Sequence, residues 1–430
     1  MVGSSRGWTS TSEYPLVHEQ EYGFSITAYD FAWIGSAVAV GNFFAAPFLG
    51  YIMSNFGRKR MMMAMCFPAA LGFTLVTIAH SVKAMYIGRI MTGMCVGGYF
   101  IIVPLYTAEI AETQIRGTLG VFLQVMNTSG ILFTYIAGSL VPVVSMTAIC
   151  LAIVVVYFFL LICIPESPIS YLLQNNEEDA RKSLQWLRGS HYNIDVELAV
   201  KKQNIDAMKA AKLTFFEAFS TKAARKGLVI CVGLMVFRVF SGAPGIIYYN
   251  TNIFHEVDFS LSPNIQTILL GSIDLVFTMV SSSVIDKLGR RPLLFISGAG
   301  MATSTFFLGL FFFLKDRNYD LSSIAWLPLV IICIFVISFS LGFGPIPPVL
   351  FGETFPRNIA THALSVVSCL TSFFLFIATF YFEIISLAIG RGVLFFICST
   401  CTFVGILFIH FFVIETKNKP LEQILKELGE

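Results

Sequence analysis

PESPISYLLQNNEEDARKSLQWLRGSHYNIDVELAVKKQNIDAMKAAKLTFFEAFSTKAARK, residues 165–226, is a long polar stretch in an otherwise apolar chain, and reading it decides the fold. It separates two halves of similar pattern. Before it lie apolar runs at Phe31–Met53, Met61–His80, Ala84–Tyr106, Gly117–Ala137 and Pro142–Ile164. After it lie Gly227–Tyr249, Gln266–Ile285, Leu293–Leu314, Trp326–Leu350, Thr361–Phe382 and Gly392–Ile414. Each run is about 20 residues, which at about 1.5 Å per residue crosses a hydrocarbon core of roughly 30 Å.

Composition agrees. Of 430 residues 56% are apolar and 13% charged, with 43 Phe and a mean hydropathy of +0.76, against about 25% charged in an average soluble domain. The chain reads as an all-α polytopic membrane protein. A net charge of +2 is too small to argue for a nucleic-acid partner, so the distribution of charge matters more than its sum. With loops assigned alternately to the two faces, 21 of the 28 Lys and Arg fall on the side of the polar stretch, 6 on the other side, and Arg238 inside a span. The positive-inside rule then places the polar stretch, the Gly57–Arg60 and Lys287–Arg291 loops and the C-terminal tail in the cytoplasm, and the lipid bilayer around the rest.

The chain divides into an extracellular N-terminal segment over 1–30, a bundle of five spans over 31–164, a cytoplasmic helical linker over 165–226, a bundle of six spans over 227–414 and a cytoplasmic tail over 415–430. Gly7-Trp8-Thr9-Ser10 reads as the outer end of a membrane span whose body would precede Met1, so the eleven runs read as twelve without the first. No cleavable signal peptide is visible in residues 1–30, which lack an apolar core. All nine Cys fall within apolar runs, which argues against a disulfide framework, and the Cys398/Cys401 pair reads as packing on a helix. The Asn127-Thr128-Ser129 sequon lies mid-span, out of reach of glycosylation. Within the linker, 175–188 and 196–212 read as short amphipathic helices. Nothing in it resembles a nucleotide-binding loop or a metal cluster, so no cofactor and no ATP-driven step are expected. His80, His362 and His410 read as packing or interfacial groups.

Three features occur twice. Asn55-Phe56-Gly57-Arg58-Lys59-Arg60 is matched by Asp286-Lys287-Leu288-Gly289-Arg290-Arg291, Gly57 and Gly289 lying 232 residues apart. Glu109, followed by Arg116, is matched 244 residues on by Glu353, followed by Arg357; Pro165-Glu166-Ser167 is matched by Ile414-Glu415-Thr416, offset 249. Nearly constant offsets are the mark of a duplicated unit, which in carriers means two bundles with a site between them. The duplicated charges suggest a gate: Glu109, Glu166, Glu353 and Glu415 can pair with Arg58, Arg116, Arg290 and Arg357 when the bundles close on the inner side, and Asp286 belongs to the same set. One exposed pair is worth only about 0–1 kcal/mol, but several together bias an outward–inward equilibrium.

Taken together, Arg116-Gly117-Thr118-Leu119-Gly120, Gln124, Pro165-Glu166-Ser167-Pro168, Ser241-Gly242, Tyr248-Tyr249, Gly289-Arg290-Arg291, Gly344-Pro345-Ile346-Pro347, Glu353 and Glu415-Thr416-Lys417 resemble the sugar porter family of the major facilitator superfamily, and within it the facilitated trehalose transporters. The resemblance runs through the whole chain in one order. It implies the major facilitator fold, two pseudo-symmetric helical bundles that rock about a central sugar site, and membership of a group of uniporters and proton symporters that leave the solute unmodified. It also implies that Gln124 is a polar site residue, that Ser241, Gly242 and Pro244 break one helix and Pro345, Pro347 and Pro348 another, and that Tyr248 and Tyr249 form an outer lid or an interfacial anchor.

The chain departs from that family where a neutral sugar would be held by amides and an indole. Arg238 and Val239 stand for two glutamines, Pro244 and Asp274 for two asparagines, Pro348 for a tryptophan, and Ser368 and Ser372 for later amides. Arg238 and Asp274 fall at the same depth, so an ion pair facing the cavity is expected; an unpaired charge there would cost several kcal/mol. Such a pair reads either as a lock between two drifted residues, or as a charged-solute site, or as a route for proton coupling through Asp274. The residues expected at the solute site are Gln124, Asn127, Arg238, Ser241, Asp274, Tyr248 and Tyr249. The function expected is a plasma-membrane carrier of a small polar solute, by default trehalose or a hexose. The alternatives are a transport-deficient paralogue or receptor on the same scaffold, and a carrier of a charged solute. No catalytic constellation points to an enzyme.

Overall fold

The computed structural model describes residues 1–112, 116–189, 192–210, 221–255, 261–355, 357–417, 419 and 421–429. Regular structure among them is helical throughout. The first bundle holds α1 (Val2–Val17), α2 (Ala28–Phe56), α3 (Arg58–Thr77), α4 (Val82–Ile110), α5 (Arg116–Leu140) and α6 (Val143–Cys163). The linker holds α7 (Pro168–Leu173), α8 (Glu177–Arg188) and α9 (Ile194–Ala210). The second bundle holds α10 (Lys222–Phe240), α11 (Ala243–His255), α12 (Pro263–Leu288), α13 (Arg290–Asp316), α14 (Leu327–Leu341), α15 (Ile346–Thr354), α16 (Arg357–Ile389) and α17 (Arg391–Phe412), with α18 (Leu421–Gly429) closing the chain. Among the described residues ten stretches are long and apolar enough to cross a bilayer, and α5 occupies the remaining apolar run. Outward-facing Phe44, Phe48, Phe67, Val156, Phe159 and Phe403 suit contact with lipid. The protein is a multi-pass membrane protein.

Residues 1–30 are not a free extracellular segment. Val2–Val17 is a helix packed inside the bundle, with Trp8 fully buried and its indole N–H donating to Thr147 Oγ1 at 2.8 Å. Gly3 and Gly7 let α1 approach the α5 backbone, since a Cβ at Gly3 would stand on Asn127 O. The polar composition of this helix hid it: Ser4, Ser5, Thr9, Ser10 and Ser12 are buried although they look solvated in sequence. In this segment they face protein rather than lipid.

Both expected breaks are present. Gly242, at φ +90°, separates α10 from α11, and Ala243 begins the next helix. Gly342 through Pro345 separates α14 from α15. A proline removes a donor and crowds the preceding turn, so both helices bend where polar residues enter the core.

The bundles meet along three seams, α2 with α16, α5 with α12, and α1 with α11. By sequence offset α2 corresponds to α12 and α5 to α16, so the first two seams exchange under the internal duplication. The α2–α16 seam is aromatic, with Trp33 4.8 Å from Phe380 and 5.6 Å from Phe376 between ring centroids.

Candidate functional site

The duplicated motifs build the same cluster twice, both at the end of the molecule that carries the linker. In the first bundle Gly57 adopts φ +91°, and a Cβ there would sit 2.5 Å from Glu166 Oε2. Glu166 Oε1 accepts from the backbone N–H of Arg58 at 2.8 Å and Lys59 at 3.0 Å, and Oε2 from Arg60 N–H at 3.3 Å. These are orphan donors at the start of α3, where an anion is favoured. The Arg58 side chain reaches Glu109 Oε1 at 2.9 Å, and Ser167 Oγ donates to the other Glu109 oxygen. In the second bundle Gly289 adopts φ +94°, Glu415 accepts from Arg290 and Arg291 N–H at 3.0 Å each, Arg290 pairs with Glu353 at 2.9 Å, and Thr416 Oγ1 donates to Glu353 Oε2 at 2.5 Å.

Two of the expected gate pairs are formed in this structure within the bundles. Arg58–Glu109 and Arg290–Glu353 each lie within one bundle and do not cross between them. They tie the start of α3 to the end of α4, and the start of α13 to α15. The side chains of Arg116, Asp286 and Arg357 lie outside the described residues. The linker joins the first cluster: Arg188 pairs with Glu197 at 2.9 Å and donates to Ile110 O at 3.0 Å, while Lys201 Nζ donates to Glu109 O at 3.4 Å. Arg188 and Lys201 hold Glu197 below the usual carboxylate range, outweighing the upward push of its burial.

Among the described residues most bonds that cross between bundles gather at the far end, away from the linker, while the weak Cys369 Sγ donor to Phe43 O at 3.9 Å lies mid-span. Ser10 Oγ on α1 donates to Asn250 Oδ1 on α11 and lies 3.0 Å from Thr251 Oγ1. Tyr135 OH on α5 donates to Ile247 O at 3.1 Å and accepts from Asn250 Nδ2 at 3.1 Å. The rings of Tyr14 and His255 stack 3.8 Å apart, and burial keeps His255 below the usual imidazole range, with His18 adding to the effect. The molecule is therefore fastened at its far end.

A small pocket lies just inside this closure. Ile131 and Tyr135 of the first bundle and Ile247, Asn250, Asp274, Val336 and Phe339 of the second line it. Asp274 Oδ1 accepts from Ser340 Oγ at 2.5 Å and Thr278 Oγ1 at 3.4 Å. Arg238 forms no ion pair with it within 4.0 Å; its guanidinium carbon stands 5.4 Å from the Phe339 ring centroid and Nη1 lies 3.8 Å from Met235 Sδ. The expected mid-membrane pair is thus two separate groups within electrostatic reach of each other.

The other expected residues divide. Gln124 is half-buried on α5. Asn127 is buried, with Oδ1 lacking a hydrogen-bond partner. The Ser241 hydroxyl donates to Arg238 O at 2.8 Å and serves the helix break rather than a solute. Tyr249 is buried, donates to Thr379 O at 2.9 Å and stacks on Phe382, which fixes α11 against α16. Tyr248 lies in electrostatic reach of both Arg89 and Arg238.

Sequence reasoning missed Arg89 and Arg6 by assigning both to the outer flank. Arg89 is 1% exposed, lies over the Trp8 ring at 4.6 Å, and donates to Ser5 O at 3.0 Å and Thr9 Oγ1 at 2.6 Å. Arg6 lies over the Phe100 ring at 4.7 Å. An Arg after Gly88 inside an apolar run was the available signal.

Comparison with known proteins adds the following. A family model described as "Sugar (and other) transporter" matches residues 8–428. The facilitated trehalose transporter Tret1 of Anopheles gambiae is 32% identical over 429 residues, covering 100% of this chain and 54% of that protein. Tret1 of Bombyx mori is 34% identical over 433 residues, covering 99% of this chain and 84% of that protein. The chain spans about half the length of the relatives from Anopheles gambiae and Aedes aegypti. Among solved structures, the proton:xylose symporter XylE bound to 6-bromo-6-deoxy-D-glucose superposes with a TM-score of 0.79 at 23% identity, covering 100% of this chain and 98% of that one. A partially occluded inward-open form of XylE from E. coli gives 0.80 at 23% identity, over 97% of this chain and 96% of that one.

Proposed function

The chain belongs to the sugar (and other) transporter family of the major facilitator superfamily, and from that premise we propose that it carries a small polar solute, by default trehalose or a hexose, across the plasma membrane by alternating access. The linker and the C-terminus face the cytoplasm in this reading, following the charge bias of the loops. One observation supports the proposal above the others: among the described residues most hydrogen bonds that cross between bundles lie at the far end, while Arg58–Glu109 and Arg290–Glu353 at the linker end run inside each bundle. Two internally braced bodies fastened at one end rock about that contact, and a solute between them meets the cytoplasm. Breaking the far-end bonds and closing the linker end exposes the same site to the outside.

Gln124 and Asn127 from the first bundle and Arg238, Asp274 and Tyr248 from the second are the groups proposed to meet the solute. The experiment is uptake of labelled trehalose and glucose by proteoliposomes. Saturable uptake, with the apparent KM raised about tenfold by Gln124→Ala, is expected for loss of one hydrogen bond to a buried polar solute. Absence of uptake for both sugars would remove the sugar assignment.

Proton coupling is a separate part of the reading. Asp274 is the carboxylate placed to exchange a proton with the site, since it lines the pocket between bundles. Symport predicts uptake driven by an inward proton gradient, with that dependence lost in Asp274→Asn. Uniport predicts no dependence in either protein.

A further inference from the structure

The carboxylates of the two duplicated clusters use both of their oxygens. Glu109 takes Arg58 on one and Ser167 on the other, Glu353 takes Arg290 and Thr416, and Glu166 and Glu415 each spread backbone N–H groups over the pair. Glu383, near the far end of α16, differs. It is 7% exposed, and its Oε1 accepts from Arg391 Nη2 at 3.1 Å, with Arg391 Nε donating in turn to Ser386 Oγ at 3.2 Å. Glu383 Oε2 is buried and has no hydrogen-bond partner among the described residues. An ionised oxygen withdrawn from water without a donor is costly, so its surroundings are where a donor is missing.

Glu383 lines a cavity of about 290 Å³. Ala28 and Tyr29, at the start of α2, form one wall, and Ile384, Leu387 and Ala388 of α16 continue the other. The walls belong to different bundles, so the cavity lies in the α2–α16 seam at the far end. Tyr29, Leu387 and Ala388 are exposed, and in a bilayer they stand where aromatic and apolar side chains border the headgroups. Deeper along the same seam Phe44 and Phe373 are exposed, and the rings of Phe43 and Phe373 come to 6.3 Å between centroids. From Glu383 to Phe373 the helix descends about 15 Å, roughly half of a hydrocarbon core. One leaflet's depth of lipid chain fits that distance.

The oxygen and the walls select the ligand together. A primary ammonium brings three N–H donors and a positive charge, and an ionised carboxylate can hold Arg391 on one oxygen and an ammonium on the other. A quaternary ammonium has no N–H to give. We propose that the far-end mouth of the α2–α16 seam binds an aminophospholipid, its primary ammonium donating to Glu383 Oε2 and an acyl chain lying against Phe44 and Phe373. The terminal torsion of a glutamate is soft, so a slight turn presents the oxygen to the cavity. Because the headgroup touches both bundles, the bound lipid adds to the fastening that Ser10, Tyr135 and Asn250 make at the same end.

The test uses the full chain in phosphatidylcholine vesicles, with phosphatidylethanolamine or phosphatidylcholine brominated on its acyl chains as a minor component. Quenching of Trp33, which lies in the seam 4.8 Å from Phe380, is the readout, and Trp33→Phe subtracts the other tryptophans. The ethanolamine lipid should quench Trp33 at about one tenth or less of the concentration that the choline lipid needs, as expected when a charged hydrogen bond forms with one and not the other. Glu383→Gln should bring the two lipids within about twofold of each other, and so should Ala388→Phe, which fills the cavity and leaves Glu383 and Arg391 in place. Should either variant fail to fold, the wild type with ethanolamine, N,N-dimethylethanolamine and choline lipids gives the same comparison, the preference falling as N–H donors are removed. Equal quenching by the ethanolamine and choline lipids in the wild type would overturn the inference. A preference retained in both variants would overturn its placement at Glu383. Displacement of the brominated lipid by an equimolar amount of free ethanolamine would assign the site to a soluble amine and overturn the lipid. None of these readouts involves transport, so their failure leaves the carrier reading standing.

Discussion

Glu166→Gln and Glu415→Gln perturb the duplicated clusters in the same way and test whether they are equivalent braces. Glu166 accepts four backbone N–H groups, from Arg58, Lys59, Arg60 and Ser167, at 2.8 to 3.3 Å, and Glu415 accepts from Arg290, Arg291 and Lys417 at 2.9 to 3.0 Å. A hydrogen bond to a charged group contributes about 1.5–3 kcal/mol. Glutamine keeps one acceptor but turns an NH₂ toward other donors, so a loss of roughly 2 kcal/mol per cluster is expected. For a bundle of this size, about 2–4 °C per kcal/mol gives a fall of roughly 4–8 °C in the thermal midpoint. Buried Cys66, Cys95 and Cys150 in one bundle and Cys231 and Cys398 in the other let a thiol-reactive dye report unfolding in detergent. Among the described residues the clusters share no partner, so the double variant should sum the single losses within about 0.5 kcal/mol. pH adds a second readout. Burial pushes Glu415 up, but N–H groups of Lys417, Arg290, Arg291 and Thr416 outweigh it and hold its pKa below the usual 4.5. Its contribution is therefore present above that value and lost as pH falls through the lowered one, and Glu415→Gln should lack this acid limb. Midpoints unchanged within about 1 °C in both single variants would refute the reasoning.

The far-end closure should respond to smaller changes. Tyr135→Phe removes one bond to Ile247 O and one to Asn250, and a shift of about 1–2 kcal/mol toward opening should raise the labelling rate of a cysteine placed on the outer face of α11 by about 5–30-fold. Ser10→Cys with Thr251→Cys places thiols where the native oxygens are 3.0 Å apart; oxidation should arrest transport and a reductant should restore it. Gly57→Ala forces a Cβ to within 2.5 Å of Glu166 Oε2 in a left-handed backbone, so a loss of roughly 1–3 kcal/mol in the same thermal assay is expected. Arg89→Ala leaves Ser5 and Thr9 oxygens buried without their donor and opens a cavity; a loss of about 3–5 kcal/mol should appear as poor recovery of monodisperse protein.

Much of the architecture was legible because lipid makes strong demands. A backbone that crosses hydrocarbon must be helical over about 20 residues, so apolar runs located most spans. The duplicated Gly-Arg turns and their partner acids were legible because each cluster needs one glycine, one arginine and two carboxylates at fixed separation. Other features escaped for equally physical reasons. The helix Val2–Val17 is buried yet polar, because protein rather than lipid covers it, and hydropathy cannot tell buried polar from solvated polar. Arg89 looked like a membrane-flank charge because its acceptors, Ser5 and Thr9, belong to that same misread segment. Arg238 and Asp274 were expected at a common depth, but depth does not fix azimuth, and each side chain has its own partners. Ser340, which takes the Asp274 carboxylate, carries no mark in the sequence.

The two ends of the molecule differ in what their polar groups hold together, and that difference constrains how it moves. At the linker end Arg58–Glu109 is a nearly buried pair, at 9% and 10% side-chain exposure, and Arg290–Glu353 a partly buried one, at 12% and 26%. Breaking a buried pair such as the first costs about 3–5 kcal/mol, so in the carrier proposed above these pairs would persist and each bundle would move as one body. At the far end the joining groups are neutral hydroxyls, an amide and a tyrosine, each worth about 0.5–1.5 kcal/mol. A handful of such bonds can be exchanged for water at a total of a few kcal/mol, which differential binding of a solute to the two states can supply. Strong links inside the bodies and weak links between them are the arrangement that the proposed rocking motion requires. Reversing the placement, with charge pairs across the join and hydroxyls within the bundles, would produce a locked and internally loose one.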